Sequence, residues 1–155
     1  GANRYVPTYE RFVDERDFES LVRNYFEQYL GQFPAQVFDK INENFIRCSF
    51  FELVSRYLSS CYTFAIEQNN SEGRADFEMT GIPGTDYYTD DRLVEFKYYK
   101  AKEAEKMLEL DAPLPEHVEQ VHRYAEDTLR HFPNYKVRTY VVYICANRGW
   151  KCWET

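Results

Sequence analysis

The sequence lacks a C-x-x-C pair, and no histidine stands at ligand spacing from its 4 cysteines, Cys48, Cys61, Cys145 and Cys152. That excludes the common structural zinc sites. The cysteines sit in apolar surroundings, which reads as small buried hydrophobes in a reducing cytoplasm rather than a disulfide framework. No apolar run approaches the ~20 residues a membrane span needs, and no signal-peptide pattern is seen. Gly-x-Ser-x-Gly, Walker A and dinucleotide fingerprints are all missing, which removes the usual acyl-transfer and nucleotide-site readings. Internal repeats and low-complexity segments are also absent. Basic excess is missing too: the formal net charge is −7. A general nucleic-acid coating protein is excluded, while a local groove, or carboxylates offset by bound cations, is not.

What is present is an ordinary globular chain of 155 residues, long enough for one hydrophobic core. It is rich in aromatics, with 14 Tyr and 12 Phe, so the core should be built on rings. Residues 1–14 read as an irregular lead-in. Residues 15–31 carry Phe18, Leu21, Val22, Tyr25, Phe26 and Tyr29 at helical spacing, up to Gly31. A second helix is expected over 43–60, apolar on much of its circumference and therefore buried between layers. Strands follow at 61–68, 74–80 and 92–99, the first two as a hairpin around a turn rich in Asn, Ser and Gly. Helices at 101–109 and 113–131 lead to a β-branched strand at 136–146, which could pair with the terminal "WKCWE". The order α-α-β-β-β-α-α-β implies an α/β (α+β) fold, a mixed sheet packed against helices.

Chemistry concentrates in "RLVEFKYYK", residues 92–100. Alternation puts Glu95 and Lys97 on one face of the strand, and Val94, Phe96 and Tyr98 on the other. Asp76 lies within the preceding strand. If the strands are neighbours, Asp76 meets Glu95. Two adjacent carboxylates repel unless a divalent cation joins them, and Mg²⁺ takes such oxygen ligands. A lysine beside them can orient or deprotonate water, or stabilise charge on a phosphate. The bland alternative is an exposed Glu-x-Lys salt bridge. Arg74 is a phosphate-binding candidate or a plain surface charge. Glu67, on the first strand, could lie beside Asp76 as a further metal ligand or point to solvent.

"GRAD" at 73–76 followed by "VEFK" at 94–97 resembles the PD-(D/E)XK nuclease superfamily, although Ala75 stands where the founding motif has Pro. The resemblance is to the branch found C-terminal to AAA-type ATPase-like domains, many of them from gut bacteria. It implies a restriction-endonuclease-like α-β-β-β-α-β core over residues 43–146, with 1–42 as an N-terminal helical extension and 43–155 as the nuclease-like domain of one unit. A start at Gly-Ala without Met fits a piece of a larger protein. The resemblance assigns Asp76 and Glu95 as ligands of Mg²⁺ or Mn²⁺ and Lys97 as the catalytic lysine. It offers Glu52 as the helix glutamate of many relatives, though Glu52 could instead pair with Arg47 or Arg56. It offers Gln120 and Tyr124 as the Gln-x-x-x-Tyr pair of exonuclease-like relatives, on one helix face. His117 could approach the site or lie in solvent.

The function so implied is metal-dependent hydrolysis of phosphodiesters, with DNA as the expected partner. A silent nuclease-fold module is the alternative: Lys97, Lys100, Lys102 and Lys106 are the nearest approach to a basic stripe, and Glu103 and Glu105 interrupt it. A third reading is an interaction domain, even a homodimer, docking through Tyr25, Phe26, Tyr29 and Phe33 or else burying them as core.

Overall fold

A computed structural model of the chain describes residues 2–67 and 75–155. Its first helix, α1 (Val6–Glu15), occupies the stretch that reads as an irregular lead-in. Tyr5, Tyr9, Phe12 and Val13 are the helical signal there, partly hidden by charged neighbours. Tyr9 and Phe12 are buried, and Pro7 sits in the first turn, where its missing N–H costs nothing. Arg16 ends the helix with a left-handed φ of 59°. The helix expected over 15–31 is therefore broken: α2 (Phe18–Asn24) runs into one π-helical turn, Tyr25–Tyr29, and a 3₁₀ turn, Leu30–Gln32. Asn42 then caps α3 (Glu43–Leu58), its side-chain oxygen accepting from the Phe45 N–H at 3.0 Å.

The sheet comprises β1 (Tyr62–Ile66), β2 (Phe77–Gly81), β3 (Asp90–Tyr99), β4 (Lys136–Cys145) and β5 (Gly149–Glu154), side by side in sequence order. All neighbours are antiparallel except β3 and β4, which are parallel. Parallel strands need a long crossover, and α4 (Ala101–Leu108) with α5 (Pro115–His131) supplies it. The α-β-β-β-α-β order and the mixed, helix-flanked sheet match the expectation. Gly81 is required where the loop after β2 folds back: an added Cβ would lie 1.6 Å from the Tyr87 carbonyl oxygen.

The two faces carry different layers. On one, Phe50 of α3 touches Phe77 and Phe96 of the sheet and Phe18 and Tyr25 of the N-terminal segment. Residues before 42 therefore share the core of the sheet. Tyr25 is fully buried, and Phe26, Tyr29 and Phe33 pack against the same cluster, so these rings serve as core. On the other face Leu93, Val141 and Tyr143 meet Ala104 and Met107 of α4 and Val121 of α5. Strand β3 lies between both layers, which is why Asp91 through Phe96 are buried without a break. No helix among the described residues is long and apolar enough to cross a membrane.

Candidate active site

The site arises where two strands part. The pairing of β2 with β3 ends at Phe77 and Val94, while β3 continues to Tyr99 with only β4 beside it. Beyond Val94 the exposed edge of β3 would leave backbone donors unsatisfied. Asp76, one residue before β2, fills that place. Its Oδ2 accepts the Phe96 N–H at 2.9 Å, and its Oδ1 accepts from Arg47 Nη1 at 2.8 Å. Asp76 and Arg47 are both buried, at 6% and 4% exposure.

Glu95 lies beside this pair and is 1% exposed, yet neither of its carboxylate oxygens has a hydrogen-bond partner. Lys97 Nζ stands 3.7 Å from Glu95 Oε2 and 3.5 Å from Glu43 Oε1. Burial first, and then the negative charge of Asp76, push the Glu95 carboxyl up to about 8, with Lys97 pulling the other way. Burial lowers the Lys97 ammonium, but Glu43, Glu95 and Asp76 outweigh it and raise the group above its ordinary value. Lys97 is thus a fixed cation, suited to donate hydrogen bonds rather than to remove a proton.

The family profile of the PD-(D/E)XK nuclease superfamily matches residues 41–154. The chain belongs to that superfamily. No curated protein matches it in sequence. Asp76, Glu95 and Lys97, the residues the sequence offers for an acidic pair and lysine, stand together in one cluster. Superfamily members generally work with a divalent metal, and the cluster fits one: a buried carboxylate without donors, next to a second carboxylate, is an unmet demand for positive charge. Among the described residues no group of three or more His, Cys, Asp or Glu forms a metal cage.

The remaining sequence candidates divide. Glu67 is opposite Asp76 in the hairpin, its N–H donating to the Asp76 carbonyl at 3.2 Å. Its side chain lines a hollow of about 210 Å³ with Ala75, Glu78, Leu93, Tyr124 and Asp127. Gln120 Nε2 donates to Tyr124 Oη at 3.4 Å, so the pair shares a face of α5 and Tyr124 reaches the hollow beside Ala75. Glu52 is not brought to the cluster. It is exposed on α3, and its charge acts on Tyr29 of the N-terminal segment. Nine residues separate it from Glu43, which turns it about 180° around the helix. Arg74 lies outside the described residues.

Three residues at the site escaped the sequence reading. Glu43 and Arg47 occupy successive turns on one side of α3, and the Asn42 cap that fixes where the helix begins was the available signal. Tyr143 of β4 is the third, and it draws His117 inward. His117 Nδ1 lies 2.6 Å from Tyr143 Oη, which also accepts the Leu114 N–H at 2.9 Å. Burial, followed by the charge of Lys97, lowers the His117 pKa, so the ring is neutral beside the cluster.

Proposed function

We propose that this chain is a divalent-metal-dependent nuclease domain that hydrolyses phosphodiester bonds, with DNA as substrate and Mg²⁺ or Mn²⁺ as the ion. One observation carries the reading: the Glu95 carboxylate is buried without a hydrogen-bond donor beside Asp76 and Lys97. Asp76 and Glu95 would hold the ion. What such an ion supplies when bound is positive charge that offsets the carboxylates and polarises a phosphate oxygen.

The protein's own residues account for the rest. Phe96 N–H and Arg47 lock the Asp76 carboxylate in one orientation, so no reorganisation is needed when substrate arrives. Glu43 keeps Lys97 at the strand edge, where the ammonium can hold the attacking water and the charge that develops on phosphorus. Water attacks phosphorus, its oxygen forming the new P–O bond and shedding a proton to solvent, while the bond to the leaving oxygen breaks and that oxygen takes up a proton from solvent. In this reading Gln120 and Tyr124 contact the strand or its end, a role supported by their hydrogen bond and by Tyr124 lining the hollow next to Ala75. Arg74 as a phosphate contact, Glu67 as an outer acidic residue and a neighbouring ATPase-like domain belong to this proposal as well.

The alternative is a silent nuclease-fold binding module. It draws on the net charge of −7 and on Arg47 already occupying an Asp76 oxygen. One assay separates the two. Linear duplex and single-stranded DNA are incubated with Mg²⁺ or Mn²⁺ and wild type, Asp76→Ala or Lys97→Ala. We expect cleavage by wild type alone. Equal cleavage by all three would overturn the assignment, and DNA binding without cleavage by any of them would favour the silent module.

A further inference from the structure

Many phosphodiester-cleaving sites hold two divalent ions about 3.5–4 Å apart, bridged by shared carboxylates. The carboxylates of this cluster are unequally free. Asp76 Oδ1 is committed to Arg47 and Oδ2 to the Phe96 N–H. Glu43 Oε1 is committed to Lys97. Only Glu95 presents two oxygens with no hydrogen-bond donor.

Resting on the nuclease reading above, we propose that the site takes a single divalent cation and that the buried Arg47 guanidinium stands in for a second. Arg47 projects from α3, is 4% exposed and touches Asp76 on one side and Asn44 Oδ1, at 3.4 Å, on the other. A guanidinium does not lose its proton, so this charge is permanent. It sits against the one carboxylate that a second ion would have to share. The charge count agrees. With every carboxylate ionised, as a bound cation requires, Asp76, Glu95 and Glu43 against Arg47 and Lys97 leave one negative charge (−3 + 2 = −1). One dication turns that to +1, the complement of a phosphodiester. Two would turn it to +3 in a buried site, with like charges crowded together.

The test counts ions rather than turnover. Mn²⁺ is titrated calorimetrically and by electron paramagnetic resonance, alone and with a short phosphorothioate DNA. Wild type should bind one Mn²⁺ per chain under both conditions, with the spectrum of an isolated ion. Arg47→Met should admit a second Mn²⁺ or tighten the first by about tenfold, since a like charge is removed. Arg47→Lys should keep one. Two ions on wild type, or a coupled-ion spectrum, would overturn the inference and leave the nuclease reading standing. A folded Arg47→Met that binds like wild type would also overturn it. No Mn²⁺ on wild type would overturn both. If Arg47→Met does not fold, the wild-type count and Arg47→Lys decide.

Discussion

Strand β3 carries two buried charge clusters, and they are built on opposite terms. Near its start Arg92 is 1% exposed and fully served. Its Nε donates to Asp90 Oδ1 at 3.1 Å, and its Nη1 donates to Tyr140 Oη at 2.9 Å and to the Arg16 carbonyl at 3.1 Å. Tyr62 Oη completes Asp90 at 2.6 Å. Further along, Glu95 is equally buried and has no donor at all. The first cluster is closed, with each charge answered inside the protein. The second is left open by one carboxylate. A closed network fixes structure, whereas an open one keeps binding capacity in reserve and lowers stability until something binds.

The largest expected effect breaks the open cluster. Glu95→Gln should reduce metal-dependent cleavage at least about a thousand-fold, roughly 4 kcal/mol in barrier. Melting of the metal-free protein should hold at neutral pH, where the buried Glu95 carboxyl still carries its proton, and rise above about pH 8, where the variant has no buried charge. Cleavage assays and thermal melts on one preparation check both halves. The mirror experiment breaks the closed cluster. Arg92→Met should cost about 3 kcal/mol of stability by taking its donors from Asp90 Oδ1, Tyr140 Oη and the Arg16 carbonyl, read from denaturant midpoints. The fraction that stays folded should cleave normally.

Filling the open cluster should close the gap between the two. Mg²⁺ at a hundred times its dissociation constant should stabilise wild type by about 2.7 kcal/mol. Glu95→Gln should lose that increment and Arg92→Met should keep it, as differential scanning calorimetry would show.

The smallest effect concerns pH. Asp91, fully buried on the Glu95 face of β3, has Oδ2 without a donor and Oδ1 accepting from Thr80 at 3.0 Å. Burial, and then the neighbouring Glu78 carboxyl, raise it to about 8 from an ordinary 3.8. Between those values the unfolded chain has released this proton while the folded chain still holds it. Stability of the metal-free protein should therefore fall as pH rises across that window and level off above it. Asp91→Asn should flatten part of the slope, with Glu95 supplying the rest in the same direction. Melting temperatures at about pH 5 and about pH 8 measure it. An unchanged slope in the variant would remove Asp91 from the account.

Much of this was legible in the chain. Alternation alone put Glu95 and Lys97 on one face, and an acidic residue expected within the preceding strand, found one residue before it, suggested the partner. The β-branched stretch at 136–146 and the Pro-flanked helix before it gave the crossover. The sequence did not show which turn of α3 docks at the strand edge, because docking is decided by packing of Phe50 against Phe77 and Phe96 and not by any local signal. Glu52 was therefore singled out on this helix, whereas the glutamate that meets Lys97 is Glu43. The inward turn of His117 was hidden for a similar reason: its partner, Tyr143, is twenty-six residues away on another element. The N-terminal helix was missed because its four apolar positions are interleaved with charges.

The hydrogen bond from the Phe96 N–H to Asp76 has one more consequence. It sits at the position where the next rung of the β2–β3 ladder would fall, so a side chain finishes what the backbone starts. A slip of one residue between these strands would send Glu95 to the opposite face and leave Asp76 facing the wrong amide. Correct alignment of the hairpin and assembly of the acidic pair are thus a single event. A misaligned chain would lack the carboxylate pair, so under the proposed nuclease reading capture of a divalent ion would mark the correctly threaded sheet among folding products.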